Sequence, residues 1–254
     1  MRSTVERRDS IIKIIQSNGK VRVDSLSEKF DVSTVTIRND LDFLEKKGIL
    51  HRTHGGALIR KNVYEDPTLE EKQKLFQSEK QRIGEKAIEM INDGDSILLD
   101  SGTTAMEVAQ RLSGKKNLTI MTNAINIALK LGSFEDLNVM LTGGVLRKES
   151  FSLVGPEAEA TISNYFFDKL FLGVDGLEIK NGLTTPNPME AQLNRTMVER
   201  AQQVIAIADS SKFGRHSFSY ICDVDVISTI ITDKKISSHF ESEFARRNID
   251  VIKV

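Results

Sequence analysis

Asp100-Ser101-Gly102-Thr103-Thr104 is the stretch of this 254-residue chain whose residue types most clearly suit chemistry. A small, hydroxyl-rich turn at a helix start offers backbone N–H groups, side-chain hydroxyls and the positive end of the helix dipole, a combination fit for an anion. Polar turns recur after later apolar runs, at Thr122-Asn123, Thr142-Gly143-Gly144, Gly173-Val174-Asp175-Gly176 and Asp209-Ser210-Ser211-Lys212-Phe213-Gly214. Gly143 and Gly144 would let a ligand approach the backbone closely. Lys212 is a point cation suited to phosphate. Asp175 and Glu190 are carboxylates that could accept from sugar hydroxyls. Convergence of these turns would make a sugar-phosphate pocket; the alternative is a set of unrelated turns.

The same carboxylates could act as the proton-transfer pair of a sugar-phosphate isomerase or deaminase. The further acid/base loops of such an enzyme cannot be located, and His216 and His239 sit in no recognisable motif. Hydrogen bonding to hydroxyls explains the carboxylates equally well, so the sequence reads as binding without turnover. A third possibility is an oligomerisation platform with no ligand. Against it, Ser101, Thr103, Thr104 and Lys212 carry donors where a filled core would be apolar.

A second constellation lies near the N-terminus. In Ser33–Lys47 the apolar Val35, Ile37, Leu41 and Leu44 are expected to face inward, leaving Thr34, Thr36, Arg38 and Asn39 for solvent or DNA. Arg reads guanine bidentately, Asn reads adenine, and Thr serves phosphate or a thymine methyl. Ser33 and the helix start offer donors to a phosphate. Lys20, Arg22, Arg52 and His54 are expected to contact the DNA backbone, and Asp40 to pair with a neighbouring Arg.

The elements that must position these residues follow from periodicity. Three helices are expected: Ser3 to about Ser17 with a stripe of Val5, Ile11, Ile12, Ile14 and Ile15; a short one carrying Val23, Leu26 and Phe30; and Ser33–Lys47. Ile49–Ile59 reads as two short strands around Gly55-Gly56, a hairpin wing. Together, residues 1–60 form a winged helix-turn-helix whose third helix would enter the major groove; a three-helix protein-contact module is the alternative. Residues 61–78 are polar, contain Pro67 and read as a linker that becomes helical toward Lys80–Ile91. Residues 79–254 alternate strands (96–99, 119–121, 138–141, 169–173, 203–208, 227–231, 250–253) with helices (105–112, 124–131, 157–163, 190–200, 238–246). That order predicts an α/β domain with a mostly parallel sheet covered on both faces, with any ligand outside the carboxyl ends of the strands.

Composition agrees. Hydrophobic residues at 39% and charged residues at 28% are those of a globular protein. No apolar run approaches the ~20 residues of a membrane span, and no secretion signal is expected, so the chain is read as cytoplasmic without membrane contact. A single cysteine and four scattered histidines give no disulfide framework, and neither metal nor cofactor is expected. The net charge of −1 conceals an asymmetry: residues 1–61 hold thirteen Lys and Arg against eight Asp and Glu. A basic segment joined to an acidic body suggests a polyanion-binding module carried by something else.

Val32-Ser33-Thr34-Val35-Thr36-Ile37-Arg38-Asn39-Asp40-Leu41, with Leu44-Glu45-Lys46-Lys47-Gly48 and Arg52-Thr53-His54-Gly55-Gly56-Ala57, closely resembles the signature of DeoR-family bacterial transcriptional repressors. The resemblance extends to the Asp100–Thr104 turn, Thr122-Asn123, Gly143-Gly144, Gly173–Gly176, Glu190-Ala191 and Asp209–Phe213. It implies a C-terminal fold similar to ribose-5-phosphate isomerase and glucosamine-6-phosphate deaminase, a phosphorylated sugar that relieves repression, and an operator of double-stranded DNA. Asn194-Arg195 and Phe171–Asp175 look most like the branch that controls amino-sugar use. Paired half-sites would require a homo-oligomer, a dimer or tetramer.

Overall fold

The computed structural model describes residues 4–46, 50–53, 55–59 and 66–254, with the backbone alone at 5, 16, 17, 51 and 59. They fall into two compact units, Met1–Glu65 and Asp66–Val254. Among the described residues, no helix is long and apolar enough to cross a membrane.

The first unit contains α1 (Thr4–Asn18), β1 (Lys20–Arg22), α2 (Val23–Phe30), α3 (Thr34–Lys46), β2 (Leu50–Thr53) and β3 (Gly56–Ile59). Gly19, at φ +71°, ends α1 by donating its N–H to the Ile15 carbonyl at 2.8 Å. Asp31, in the left-handed region, ends α2. The core is Ile11, Ile15, Val21, Val23, Leu26, Ile37, Leu41, Leu44, Leu50 and Ala57. Two expectations shift here. Val35 does not face inward: it is 59% exposed, because the buried stripe of α3 runs through Ile37, Asp40, Leu41 and Leu44. The wing is also three-stranded, ordered β1-β3-β2. Gly56 makes that possible, since a Cβ there would come within 1.9 Å of the Val21 carbonyl oxygen.

The second unit opens with α4 (Leu69–Lys74) and α5 (Gln77–Glu89), so a helix stands within the expected linker. Thr68 and Glu71 form a reciprocal capping box that starts α4. There follow β4 (Ser96–Leu99), α6 (Thr103–Ala109), β5 (Leu118–Thr122), α7 (Ile125–Leu131) and β6 (Leu137–Leu141). A hairpin of β7 (Val145–Arg147) and β8 (Ser152–Val154) leads to α8 (Pro156–Ser163) and β9 (Phe167–Gly173). The chain continues with β10 (Gly176–Glu178), β11 (Gly182–Thr185), α9 (Pro188–Glu199), β12 (Ala201–Ile207), β13 (Ser219–Cys222), β14 (Thr229–Thr232), α10 (Ser238–Arg246) and β15 (Asp250–Lys253).

The main sheet is parallel throughout, ordered β15-β14-β12-β9-β4-β5-β6. Successive residues of each strand alternate between two cores. Leu98, Leu170, Leu172 and Ala206 pack on one face, and Ile97, Leu99, Phe171 and Ile205 on the other. Burial on both faces explains why these strands read as short continuous apolar runs. From central β4 the chain winds outward through β5 and β6, then returns to the opposite side at β9. The carboxyl ends of β4 and β9 therefore form the topological switch point, where open α/β sheets bind ligands.

Candidate functional site

One cluster of buried and half-buried charged side chains of the second unit centres on that switch point. Asp100, at the end of β4, is buried, and its Oδ2 accepts the Gly173 N–H at 3.1 Å across to β9. Burial pushes its carboxyl up to about 8, with Glu190 and Asp175 adding repulsion against backbone hydrogen bonds from Ser101 and Gly173. At neutral pH this acid is largely uncharged. Gly102, at φ +108°, then turns the chain into α6 and leaves Ser101, Thr103 and Thr104 partly exposed.

Asp175 follows β9 and is held between two lysines: Lys212 Nζ and Lys72 Nζ each lie 3.2 Å from its carboxylate. Thr185 donates to it at 3.3 Å. Burial works to raise the Asp175 carboxyl, but Lys212 and Lys72 overcome this and hold it well below the usual carboxylate range. Glu190, buried in the first turn of α9, accepts from Ser150 at 2.7 Å and Ser152 at 2.9 Å, and pairs with Arg147. Arg147 also pairs with Asp66, which lies 3.4 Å from Lys72 Nζ. Burial opposes the charge on Lys72, yet Asp175, Asp66 and Glu190 raise its affinity for the proton.

The expected residues therefore separate. Lys212, Asp175, Glu190 and Asp100 belong to one electrostatic cluster, and Ser101–Thr104 continue directly from Asp100. Thr122 is buried and its Oγ1 accepts the Ala124 N–H at 3.1 Å, capping the approach to α7. Asn123 clamps the hairpin: its carbonyl accepts the Leu153 N–H at 2.7 Å, while its buried Oδ1 has no hydrogen-bond partner. The close approach at Gly144 is to protein, since a Cβ there would come within 2.4 Å of the Val154 carbonyl oxygen. Gly143 is exposed, with only the Glu157 side chain near its Cβ direction, at 3.9 Å.

Several members of the cluster escaped the sequence reading: Asp66, Lys72, Lys80, Arg147, Thr185 and Arg215. Lys80 is only 5% exposed, and its Nζ donates to the Lys72 carbonyl. Burial lowers its ammonium to about 8. Arg215 is half-buried and donates to the Ser211 carbonyl at 3.1 Å. No carboxylate lies within ion-pair distance of either among the described residues, so the cluster carries cationic capacity beyond its internal pairs.

In the first unit, Ser33 Oγ accepts the Thr36 N–H at 3.2 Å and contacts the Thr36 hydroxyl at 2.9 Å, so both side chains serve the start of α3. Arg38 and Asn39 are exposed, Thr34 partly so, and Lys20 and Arg22 project from β1. The expected arginine partnership of Asp40 is present: Arg7 and Arg8 donate to it at 2.6 and 2.8 Å. Arg52, expected at the DNA backbone, has partners within the unit. It pairs with Asp42 and donates to the Arg38 carbonyl at 3.1 Å. His54 lies outside the described residues.

Comparison with known proteins adds independent findings. Residues 7–63 match the DeoR-like helix-turn-helix domain, and residues 76–234 match the DeoR C-terminal sensor domain. A chain of Escherichia coli O157:H7, whose name assigns it to transcriptional repression of an aga operon, is 42% identical, covering 99% of this chain and 94% of its own. The HTH-type transcriptional regulator GlpR of Haloferax volcanii is 36% identical, with 97% and 96% covered. A D-ribose-5-phosphate isomerase structure aligns over 54% of each chain, with a TM-score of 0.41 and 14% identity.

Proposed function

The chain belongs to the DeoR family, and from that premise we propose that it represses a sugar or amino-sugar catabolic operon and is released from DNA by a phosphorylated sugar bound in its second unit. The observation that carries the reading is the juxtaposition of Lys212 and Asp175, 3.2 Å apart, with Asp175 two residues beyond Gly173, whose N–H Asp100 accepts. A phosphate would be held by the hydroxyls and N–H groups of Ser101–Thr104 together with Lys212. Asp175 and Glu190 would accept from sugar hydroxyls. The cationic capacity of Lys80 and Arg215 favours a ligand with more than one negative charge. The similarity to a protein named for an aga operon supports an amino-sugar pathway.

DNA recognition rests on α3, with Arg38 and Asn39 at base edges, Thr34 beside them, and Lys20 and Arg22 on phosphates. A homo-oligomer would pair two such helices on a two-fold operator, inside the cell and away from membranes. Turnover is disfavoured because Asp175, held ionised between two ammonium groups, is a poor general base. The effector must prefer the DNA-incompetent state; tight binding alone shifts nothing.

The deciding experiment is a thermal-shift screen against phosphorylated sugars and amino sugars, followed by operator binding with each stabilising compound. A ligand at 100 times its Kd adds about 2.7 kcal/mol of apparent stability. A compound that both stabilises the protein and weakens operator binding supports the proposal. Stabilisation by none, or no effect on DNA, overturns it.

A further inference from the structure

The first segment of the second unit is bound to the candidate site through the groups that a ligand would need. Asp66 pairs with Arg147, which also serves Glu190. Lys72 spans Asp66 and Asp175. The Leu69 N–H donates to the Glu149 carbonyl at 2.8 Å. Residues 66–74 thus form a strap anchored by two ion pairs, one backbone hydrogen bond and the Lys80 ammonium on the Lys72 carbonyl, and the strap begins where the first unit ends in sequence.

One of its anchors, Lys72, is also a donor to a carboxylate of the site. Asp175 already receives Lys72, Lys212 and Thr185; Glu190 already receives Arg147, Ser150 and Ser152. Both oxygens of Asp175 are engaged, so a hydroxyl that binds it competes with these donors, whereas among the described residues Oε2 of Glu190 receives only Thr185, at 3.4 Å. Lys72 and Lys212 can both turn from Asp175 to an incoming anion, but only Lys72 lies on the strap. Release of Lys72 is therefore the exchange that frees the strap.

We propose that residues 66–74 are an effector-released latch: a phosphorylated ligand exchanges the Lys72–Asp175 and Asp66–Arg147 pairs for its own contacts, and the freed strap alters the chain leading to the DNA-binding unit. This rests on the effector reading above. It assigns Lys72 and Arg147 as ligand-responsive residues and Asp66 as the anchor that holds the DNA-competent state.

The experiment measures operator affinity of the full chain with and without saturating ligand, using the tightest binder among glucose 6-phosphate, glucosamine 6-phosphate, galactosamine 6-phosphate and ribose 5-phosphate. Inorganic phosphate serves as the anion-alone arm. Asp66→Asn and Lys72→Met should bind operator without ligand as weakly as ligand-saturated wild type, and added ligand should change that affinity less than twofold. In the wild-type protein, amides of residues 69–75 should exchange hydrogen at least fivefold faster with saturating ligand, a readout that needs no variant to fold. Variants that keep wild-type affinity and response, or exchange that ligand leaves unchanged, overturn the latch alone. If no sugar phosphate affects wild-type DNA binding, the effector reading fails and the latch fails with it.

Discussion

Arg52 in the wing donates from Nη1 to the backbone carbonyl of Arg38, 3.1 Å away on α3, while pairing with Asp42 one turn further along. The guanidinium braces the wing against the helix offered to DNA, and its charge is already matched. Arg52→Ala should therefore weaken operator binding at all sequences with little change in salt dependence. A direct phosphate contact would instead lower the slope of log K against log salt by about 0.9. Fluorescence anisotropy across a salt series separates the two.

Arg38 and Asn39 stand exposed on α3, and the proposed function puts them at base edges. Arg38→Ala and Asn39→Ala should each cost about 1–3 kcal/mol of discrimination at one base position. Ligand-induced stabilisation should be unaltered. A uniform loss over all operator variants would mean that these residues position the protein instead of reading sequence.

Asp40 is buried and receives both Arg7 and Arg8. Removing one partner of such a network strands buried charge, at a cost of about 3–5 kcal/mol. Urea unfolding of Asp40→Ala should show that loss in the transition of the DNA-binding unit. A cost below about 1 kcal/mol would show the network to be dispensable.

Lys212 pairs with Asp175 within the second unit. Lys212→Ala should reduce affinity for the effector at least tenfold and leave operator binding of the ligand-free protein within about twofold, since one lost charge-assisted contact is worth about 1.5–3 kcal/mol. Isothermal titration and anisotropy report the two quantities separately. Equal loss of both would contradict the division of labour between the units.

Asp100 predicts a pH dependence of definite sign. Its folded carboxyl keeps its proton up to about 8, whereas the unfolded chain releases it near the ordinary 3.8. Between those values the native state binds the extra proton, so stability falls as pH rises, by up to about 1.4 kcal/mol per pH unit. Glu79, lowered to about 2 chiefly by its hydrogen bond from Lys235, acts oppositely and only below its ordinary 4.5. Lys80, lowered to about 8, makes stability rise from there toward 10.5. Chemical denaturation of wild type and Asp100→Asn at pH 5.5 and 7.5 isolates the first effect. The variant should lose less stability than wild type over that interval; identical losses would refute the assignment.

Much was decided by local sequence. The inner strands of the parallel sheet are apolar runs bounded by polar turns, because they are buried on both faces, and the last helix and strand fall at 238–246 and 250–253 as expected. Ser33 announces α3 and Asn18-Gly19 closes α1 through capping chemistry that operates within a few residues. Lys212 and Asp175 were legible because strand-end turns meet at a switch point in any such sheet, whereas Glu190, in the first turn of α9, was legible through the family resemblance. Tertiary structure decided the rest. The three- and four-residue strands β7, β8, β10, β11 and β13 are too short to show a period and exist through their pairing. Val35 lies outward because the position of the core, not hydrophobicity alone, sets which helix stripe is buried. Asp66 and Lys72 looked like linker polarity because their partners lie 81 and 103 residues away. Burying a charge requires a compensating partner, and nothing in the neighbouring sequence says where the folded chain will bring one.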